Sequence, residues 1–258
     1  MAGQMTAERG ERQRLESGPP RSPRVHRRRM LIILFLAVVL TGGGSIWLLY
    51  GSPWLRLERV SVTGTQVLTR AQVREAAGVR LGTPLISLDT DAIAARLRRK
   101  LPRIDSVDVS RSWPHGIGLK VTERTPVLIL GDGGKFIEVD REGVRFATVS
   151  APPKGVPALE LTVERSAAAT RFGTGRLIGA AARVVQDVPA AVARDMRTVT
   201  VRSYDSISLE LSGGRTVEWG SSEKGRAKAV ALSALVKAAS RARHFDVSVP
   251  SAPASSGS

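Results

Sequence analysis

Residues 101–127 read LPRIDSVDVSRSWPHGIGLKVTERTPV, and two alternations inside this stretch decide the fold. Val107 and Val109 alternate with Asp108 and Ser110, and Ile117, Leu119 and Val121 alternate with Gly118, Lys120 and Thr122. A period of two puts each apolar set on one face of a pleated strand. Residues 111–116 between them are polar and carry Pro114 and Gly116, so the whole is a hairpin, with Trp113 as its core or tip anchor.

Working upstream, Pro102 stops a helix whose ends are charged to suit its dipole: Asp89 and Asp91 open it and Arg98, Arg99 and Lys100 close it. Ile93, Leu97 and Leu101 recur on one face of that helix. Before it, Thr69 and Gln72 have capping-box spacing and Gly78 ends a shorter helix. Val60 and Val62 then mark a half-buried strand that turns at Gly64. The order is β-α-α-β-β, two amphipathic helices on one face of a small sheet.

Further upstream, residues 30–50 (MLIILFLAVVLTGGGSIWLLY) form 21 positions without a charge, and a helix of that length reaches roughly 30 Å, the thickness of a hydrocarbon core. Trp47 and Tyr50 sit at one end, as interfacial aromatics do. The run exceeds a signal-peptide apolar region and Gly51, Ser52, Pro53 and Trp54 offer no A-x-A cleavage pattern, so the segment is expected to remain as an anchor. Eight arginines precede it (Arg9, Arg12, Arg14, Arg21, Arg24, Arg27, Arg28, Arg29), whereas Arg56 and Arg59 are the basic residues just beyond. The positive-inside rule therefore keeps the N-terminus in the cytoplasm and exports the rest. Residues 1–29 hold Pro19, Pro20 and Pro23 without apolar period and read as a disordered tail, its basic cluster suited to anionic lipid headgroups.

Downstream of the hairpin, Leu128, Leu130, Phe136, Val139, Val144 and Ala147 sit in short strands separated by glycine-marked turns. Leu177, Ala181, Val184, Val185 and Val188 lie on one face of a helix ending near Pro189, with Gly173, Thr174 and Gly175 at its start. Strands follow at 199–201 and 207–211, a hairpin through Ser212, Gly213, Gly214 and Arg215 leads to 217–219, and a helix is expected over 223–241. Phe245, Val247 and Val249 then alternate with Asp246 and Ser248, a last strand before a small, polar, flexible tail at 250–258.

Composition narrows the chemistry. The net charge of +16 first suggests a phosphate-bearing partner, yet only seven of the 39 basic residues are Lys, the arginines are spread over the chain, and aromatics are 4%. Nucleic acid is thereby disfavoured, because such modules add stacking rings. With no Cys there is no thiolate metal site or Cys nucleophile, and His26, His115 and His244 are far apart in sequence. No Walker loop, nucleophile elbow or penicillin-binding set is present. No catalytic, cofactor or metal residues are assigned, and His115 reads as a turn residue.

The phrases LERVSVTGTQVLTRAQVREAAGV and LISLD, and above all the stretch from SRSWP to TERTP, resemble the POTRA domain of the FtsQ/DivIB family of bacterial cell-division proteins. HFDVSVPSAP near the end resembles the actinobacterial members. The resemblance implies an α+β chain: a cytoplasmic tail (1–29), a membrane helix (30–50), a POTRA domain (55–124), a mixed β domain with covering helices (125–249) and a flexible tail (250–258). It also implies a non-enzymatic scaffold at the division septum. FtsB/DivIC-like and FtsL-like proteins would be its partners and, through them, the septal peptidoglycan synthase. Phe245, Asp246, Val247, Ser248 and Val249 are the expected partner-binding residues, on the reasoning that a terminal strand with an open edge accepts another strand. The alternative is a membrane-anchored protein that binds or modifies the cell wall. A pocket with converging carboxylates or a buried His would favour that reading, and an open edge at 245–249 the scaffold.

Overall fold

The computed structural model describes residues 23–51, 53–162 and 167–257. Helix α1 (Pro23–Ile46) is followed by one π turn, Trp47–Gly51. The helix thus starts seven residues before the apolar run, which corrects the expected disorder for residues 23–29. Proline suits a first helical position and arginine is a good helix former. The rest of the expected tail lies outside the described residues. Residues 30–47 are exposed along the helix, and Arg27–Ile46 is, among the described residues, the one helix long and apolar enough to cross a membrane. Thr41 and Ser45 turn their hydroxyls back onto Ala37 O and Thr41 O, 2.7 Å each. That satisfies both groups without water.

The membrane-proximal domain has the expected order. Strand β1 (Arg59–Thr63), helices α2 (Arg70–Ala77) and α3 (Thr90–Lys100), and strands β2 (Ile104–Ser112) and β3 (Gly116–Glu123) follow one another. The sheet runs β1-β3-β2, with β1 parallel and β2 antiparallel to β3. Local chemistry fixes the helices. Thr69 and Gln72 form a complete capping box, Gly78 ends α2 in the left-handed region, and Asp89 caps α3 by accepting from Ala92 N at 2.9 Å. Val73, Ala77, Ile93 and Leu97 pack on Ile117, Leu119 and Val121 to form the core. Of the two places open to Trp113, the structure shows the tip: it is half exposed there.

The distal domain contains the strands β4 (Leu128–Asp132), β5 (Lys135–Val139), β6 (Arg145–Val149), β7 (Ala158–Leu161), β8 (Met196–Ser203), β9 (Ser206–Leu211), β10 (Arg215–Gly220), β11 (His244–Asp246) and β12 (Ala254–Ser256). Among the described residues they join in one sheet, ordered β12-β11-β10-β9-β8-β7-β4-β5-β6. Strand β7 was not legible: four residues give too little alternation, yet it bridges two meanders by pairing parallel to both β4 and β8. Helix α4 (Ala167–Asp187) breaks at Gly173, whose φ of 67° and ψ of 142° are not helical, and the short α5 (Ala190–Ala193) follows. Leu177, Ala181 and Val184 are fully buried on the sheet, as expected, and Ile178, Ala180 and Ala182 are buried too. Helix α6 (Gly225–Ala238) packs beside α4 and against β11.

Helix α6 is shorter than the expected 223–241. Lys224 adopts a left-handed conformation at its N-cap, leaving Glu223 outside, and Arg241 lies beyond its end. Lys228 is buried and its ammonium donates to Trp219 O at 2.9 Å and Ser221 O at 2.8 Å, tying α6 to the end of β10. Burial pushes this amine below its ordinary range, while the charges of Glu223 and Asp205 act in the opposite sense.

Charges join the two domains. Arg103 donates to Glu138 at 2.6 Å and lies 5.2 Å over the Phe146 ring. Arg124 pairs with Asp140, with Glu142 at 3.1 Å and with Asp105 at 3.4 Å. Glu123 and Arg124 are neighbours at the end of β3 yet face opposite ways: Glu123 turns back and accepts from the amides of Gln66, Val67 and Leu68, and Arg124 turns forward into the junction.

Gly143, in the β5–β6 turn, has φ of 82°, and a Cβ there would lie 2.7 Å from Gly179 Cα in α4. Gly143→Ala should cost about 2–4 kcal/mol, from a left-handed backbone plus an overpacked contact. Gly131→Ala, where a Cβ meets open space, should stay within about 0.5 kcal/mol. Denaturant unfolding of the detergent-solubilised chain compares the two, and equal costs would refute this close approach of turn and helix.

Candidate partner interface

Each sheet ends in strands whose backbone groups have no neighbour on one side. In the distal sheet these are β6 and β12, and in the proximal sheet β1 and β2, among the described residues. Strand β2 is the longest, but its pairing shifts between Ile104 and Ser106, and Arg111 folds back to donate to Leu85 O at 2.9 Å. Bulges of this kind blunt an edge. Strand β6 lies next to the domain junction, since Phe146 sits under Arg103.

The expected partner residues do not form an open edge. β11 ends at Asp246 and lies between β10, to which it is parallel, and β12, to which it is antiparallel. Phe245 and Val247 are fully buried in the distal core. The Asp246 carboxylate accepts from Ser248 N at 2.9 Å and Ser248 Oγ at 2.7 Å, which turns the chain out of the strand. Val249 is 55% exposed and starts the reversal, in which Ala252 N donates to Val249 O. The tail expected to be flexible returns as β12 and takes the edge. Its Ala, Ser and Ser have low strand propensity, so nothing in their side chains announced a strand. The signal available was the turn chemistry of VPSAP, with Pro250 and Pro253 flanking Ser251 and Ala252.

Alternation fixes which groups β12 offers. Val247 N donates to Glu218 O and Thr216 N donates to Arg243 O, so the odd residues of β11 address β10. His244 and Asp246 then address β12, opposite Ser256 and Ala254. Ser255 is left with its N–H and C=O on the outer edge. Nearby, His244 Nδ1 lies 2.8 Å from Thr216 Oγ1.

Glu218 and Asp246 are register partners across β10 and β11. Burial raises the Glu218 carboxyl above its ordinary range, Asp246 adds to the rise, and Arg202 and His244 oppose it.

Carboxylates do converge elsewhere. Asp105, Glu123, Asp140 and Glu142 line a cavity of about 230 Å³ at the domain junction. Each is already committed: three to Arg124, and Glu123 to backbone amides. Such an arrangement neutralises charge and holds geometry. Arg124 is itself held charged, Asp140 and Glu142 outweighing the cost of burial. His115 Nδ1 is buried without a hydrogen-bond partner, and Ser61 and Ser112, which line the same cavity, do not bond to it; Ser61 Oγ donates to Ile117 O instead. Among the described residues no three His, Asp or Glu side chains cluster as metal ligands do.

An apolar N-terminal helix, a β-α-α-β-β domain and a mixed sheet with covering helices define a membrane-anchored α+β protein. Residues 55–124 match the model of the POTRA domain, FtsQ-type, and residues 128–248 that of cell division protein FtsQ/DivIB, C-terminal. The chain belongs to the FtsQ/DivIB family of cell-division proteins. It is 66% identical over 264 residues to the cell division protein FtsQ of Streptomyces collinus and to that of Streptomyces coelicolor, covering 100% of each chain. It is 35% identical over 225 residues to the FtsQ of Mycobacteroides abscessus, covering 87% of this chain and 68% of that one. Among solved structures, the major extracytoplasmic domain of DivIB from Geobacillus stearothermophilus aligns at 19% identity and a TM-score of 0.33, over 46% of this chain and 97% of that one.

A carboxyl with a raised folded pKa contributes stability that is fully present below its unfolded value and lost as pH rises through the folded value. The attachment of β11 and β12 should therefore loosen as pH rises from the ordinary carboxylate range through the raised Glu218 value. Glu218→Gln should remove that loss and gain about 0.2–1 kcal/mol at neutral pH, the size of a cross-strand charge effect. Hydrogen exchange at the Val247 amide against pH measures it, and an unchanged profile in Glu218→Gln would refute the assignment.

Proposed function

We propose that the protein is a non-enzymatic scaffold of the division machinery, holding FtsB/DivIC-like and FtsL-like membrane proteins and linking them to septal peptidoglycan synthesis. The observation that carries this reading is the open edge of β12 at the far end of the distal sheet, with Ser255 addressing it. Strand addition draws affinity from main-chain bonds and selectivity from alternate side chains. The proposed contact is β12, backed by Phe245 and Val247 in the core beneath β11. The protein works at the cell membrane of the septum, with its basic tail at the cytoplasmic leaflet among anionic headgroups and both folded domains outside. The commitment of the junction carboxylates to Arg124 supports the scaffold over a wall-modifying enzyme.

Orientation is tested with single cysteines at Ser17 and Ser251 in this Cys-free chain. An impermeant thiol reagent on intact cells should label position 251 and spare 17, and the reverse would overturn the topology. The interface is tested by the binding of a DivIC-like ectodomain. Ser255→Pro removes the outward donor from an edge strand that tolerates proline and should weaken capture about tenfold, whereas Ser255→Ala should bind as the parent does. If Ser255→Pro binds undiminished while folded, β12 is not the site.

A further inference from the structure

We infer that the membrane-proximal end of the POTRA domain seats directly on the bilayer surface, through a ring of exposed aromatics completed by Trp113 at the hairpin tip. The inference rests on the anchoring reading of α1 and goes beyond it, since a helix can anchor a domain without fixing how the domain stands.

Among the described residues, the chain just beyond the anchor is tied closely to the domain. The π turn Trp47–Gly51 packs against residues Leu85–Ser87. Leu57 N donates to Thr83 O at 2.9 Å and Gly82 N to Leu57 O at 2.8 Å, while Arg56 bridges Pro84. On the other side Glu58 N and Arg59 N both donate to His115 O, and the Trp54 ring lies 6.5 Å from the His115 ring. Two loops, around Leu81 and around Trp113, are therefore pinned on either side of the point where the chain leaves α1.

What those loops expose is chemically uniform. Trp47, Tyr50, Trp54 and Trp113 are 68%, 54%, 67% and 49% exposed, and Leu81 is 66% exposed. Three of the four tryptophans in the chain stand in this one region, and the fourth, Trp219, is fully buried in the distal core. Indole and phenol rings have an apolar body and a polar edge, which suits the headgroup layer better than water or hydrocarbon. Arg59 and Arg80 are exposed beside them, positioned for anionic headgroups. The occupant is the membrane itself. Trp47 and Tyr50 belong to the end of the anchor, so the bilayer surface already passes through the patch.

Seating has a geometric consequence. β3 runs from Gly116, beside the patch, to Glu123, beside the domain junction, about 25 Å at strand rise. With the near end held on lipid and the junction locked by Arg124, the open edge of β12 stands at a set height above the membrane.

The test uses the full chain in vesicles of three parts phosphatidylcholine to one part phosphatidylglycerol. An environment-sensitive fluorophore is placed on single cysteines at Val38, Ser112 and Ser251. Lipids spin-labelled near the headgroup should quench the probe at 112 strongly and that at 251 weakly, while deep acyl labels quench that at 38. Trp113→Ser with Trp54→Ser should cut the quenching at 112 by about threefold, because the anchoring rings are gone, with circular dichroism unchanged. Quenching at 38 without quenching at 112 overturns the seating and leaves the anchor intact. Quenching at 112 that survives both substitutions also overturns it, since tethering alone would then explain the proximity. Absence of quenching at all three sites removes the anchor reading and the seating with it.

Discussion

The guanidinium of Arg124 is the point on which the relation of the two domains depends. It leaves the end of β3 and meets Asp140 and Glu142 of the distal domain and Asp105 of its own. The Asp140 side chain is 4% exposed, and a carboxylate so buried is stable only while a cation and hydrogen-bond donors surround it. Its other oxygen supplies the donors' targets, accepting from Glu142 N at 2.9 Å and Val144 N at 2.8 Å. One residue thus shapes the β5–β6 turn and binds it to the neighbouring domain. Arg103 repeats the device through Glu138 and Phe146, so two arginines of the first domain engage the second.

The contacts that hold the chain together are spread along its length. The membrane end is fixed by the close packing of the chain around Leu57 and His115, the middle by Arg124, and the far end is a sheet that runs through to β12.

The far end is also the least strongly held part of the sheet. β11 and β12 are three residues each, and β11 carries Asp246 opposite Glu218. What secures β11 is Phe245 and Val247 beneath it, buried in the distal core; β12 has exposed small side chains and relies on backbone pairing. Apolar burial holds the inner strand at about 1.5–3 kcal/mol per side chain, whereas the outer strand has only hydrogen bonds worth about 0.5–1.5 kcal/mol each.

The sequence by itself determined the anchor, the β-α-α-β-β order, both helix caps and most strands of the distal sheet. Each of these is written in short-range chemistry: an uninterrupted apolar run, Thr69 with Gln72, Asp89, and the period of two in Val107, Val109, Ile117, Leu119 and Val121. The family was legible for the same reason, in the phrases around Trp113 and Pro114. Only the tertiary structure decided that β7 joins two meanders, that Trp113 faces outward, that Glu123 and Arg124 part company, and that the chain end covers β11. β7 and β12 are too short and too plain to carry a period, and they become strands because backbone groups on their neighbours require partners. Arg124 shows the same limit from the side of charge. Its type is visible in the sequence, but its partners at 105, 140 and 142 are brought together only when two domains meet.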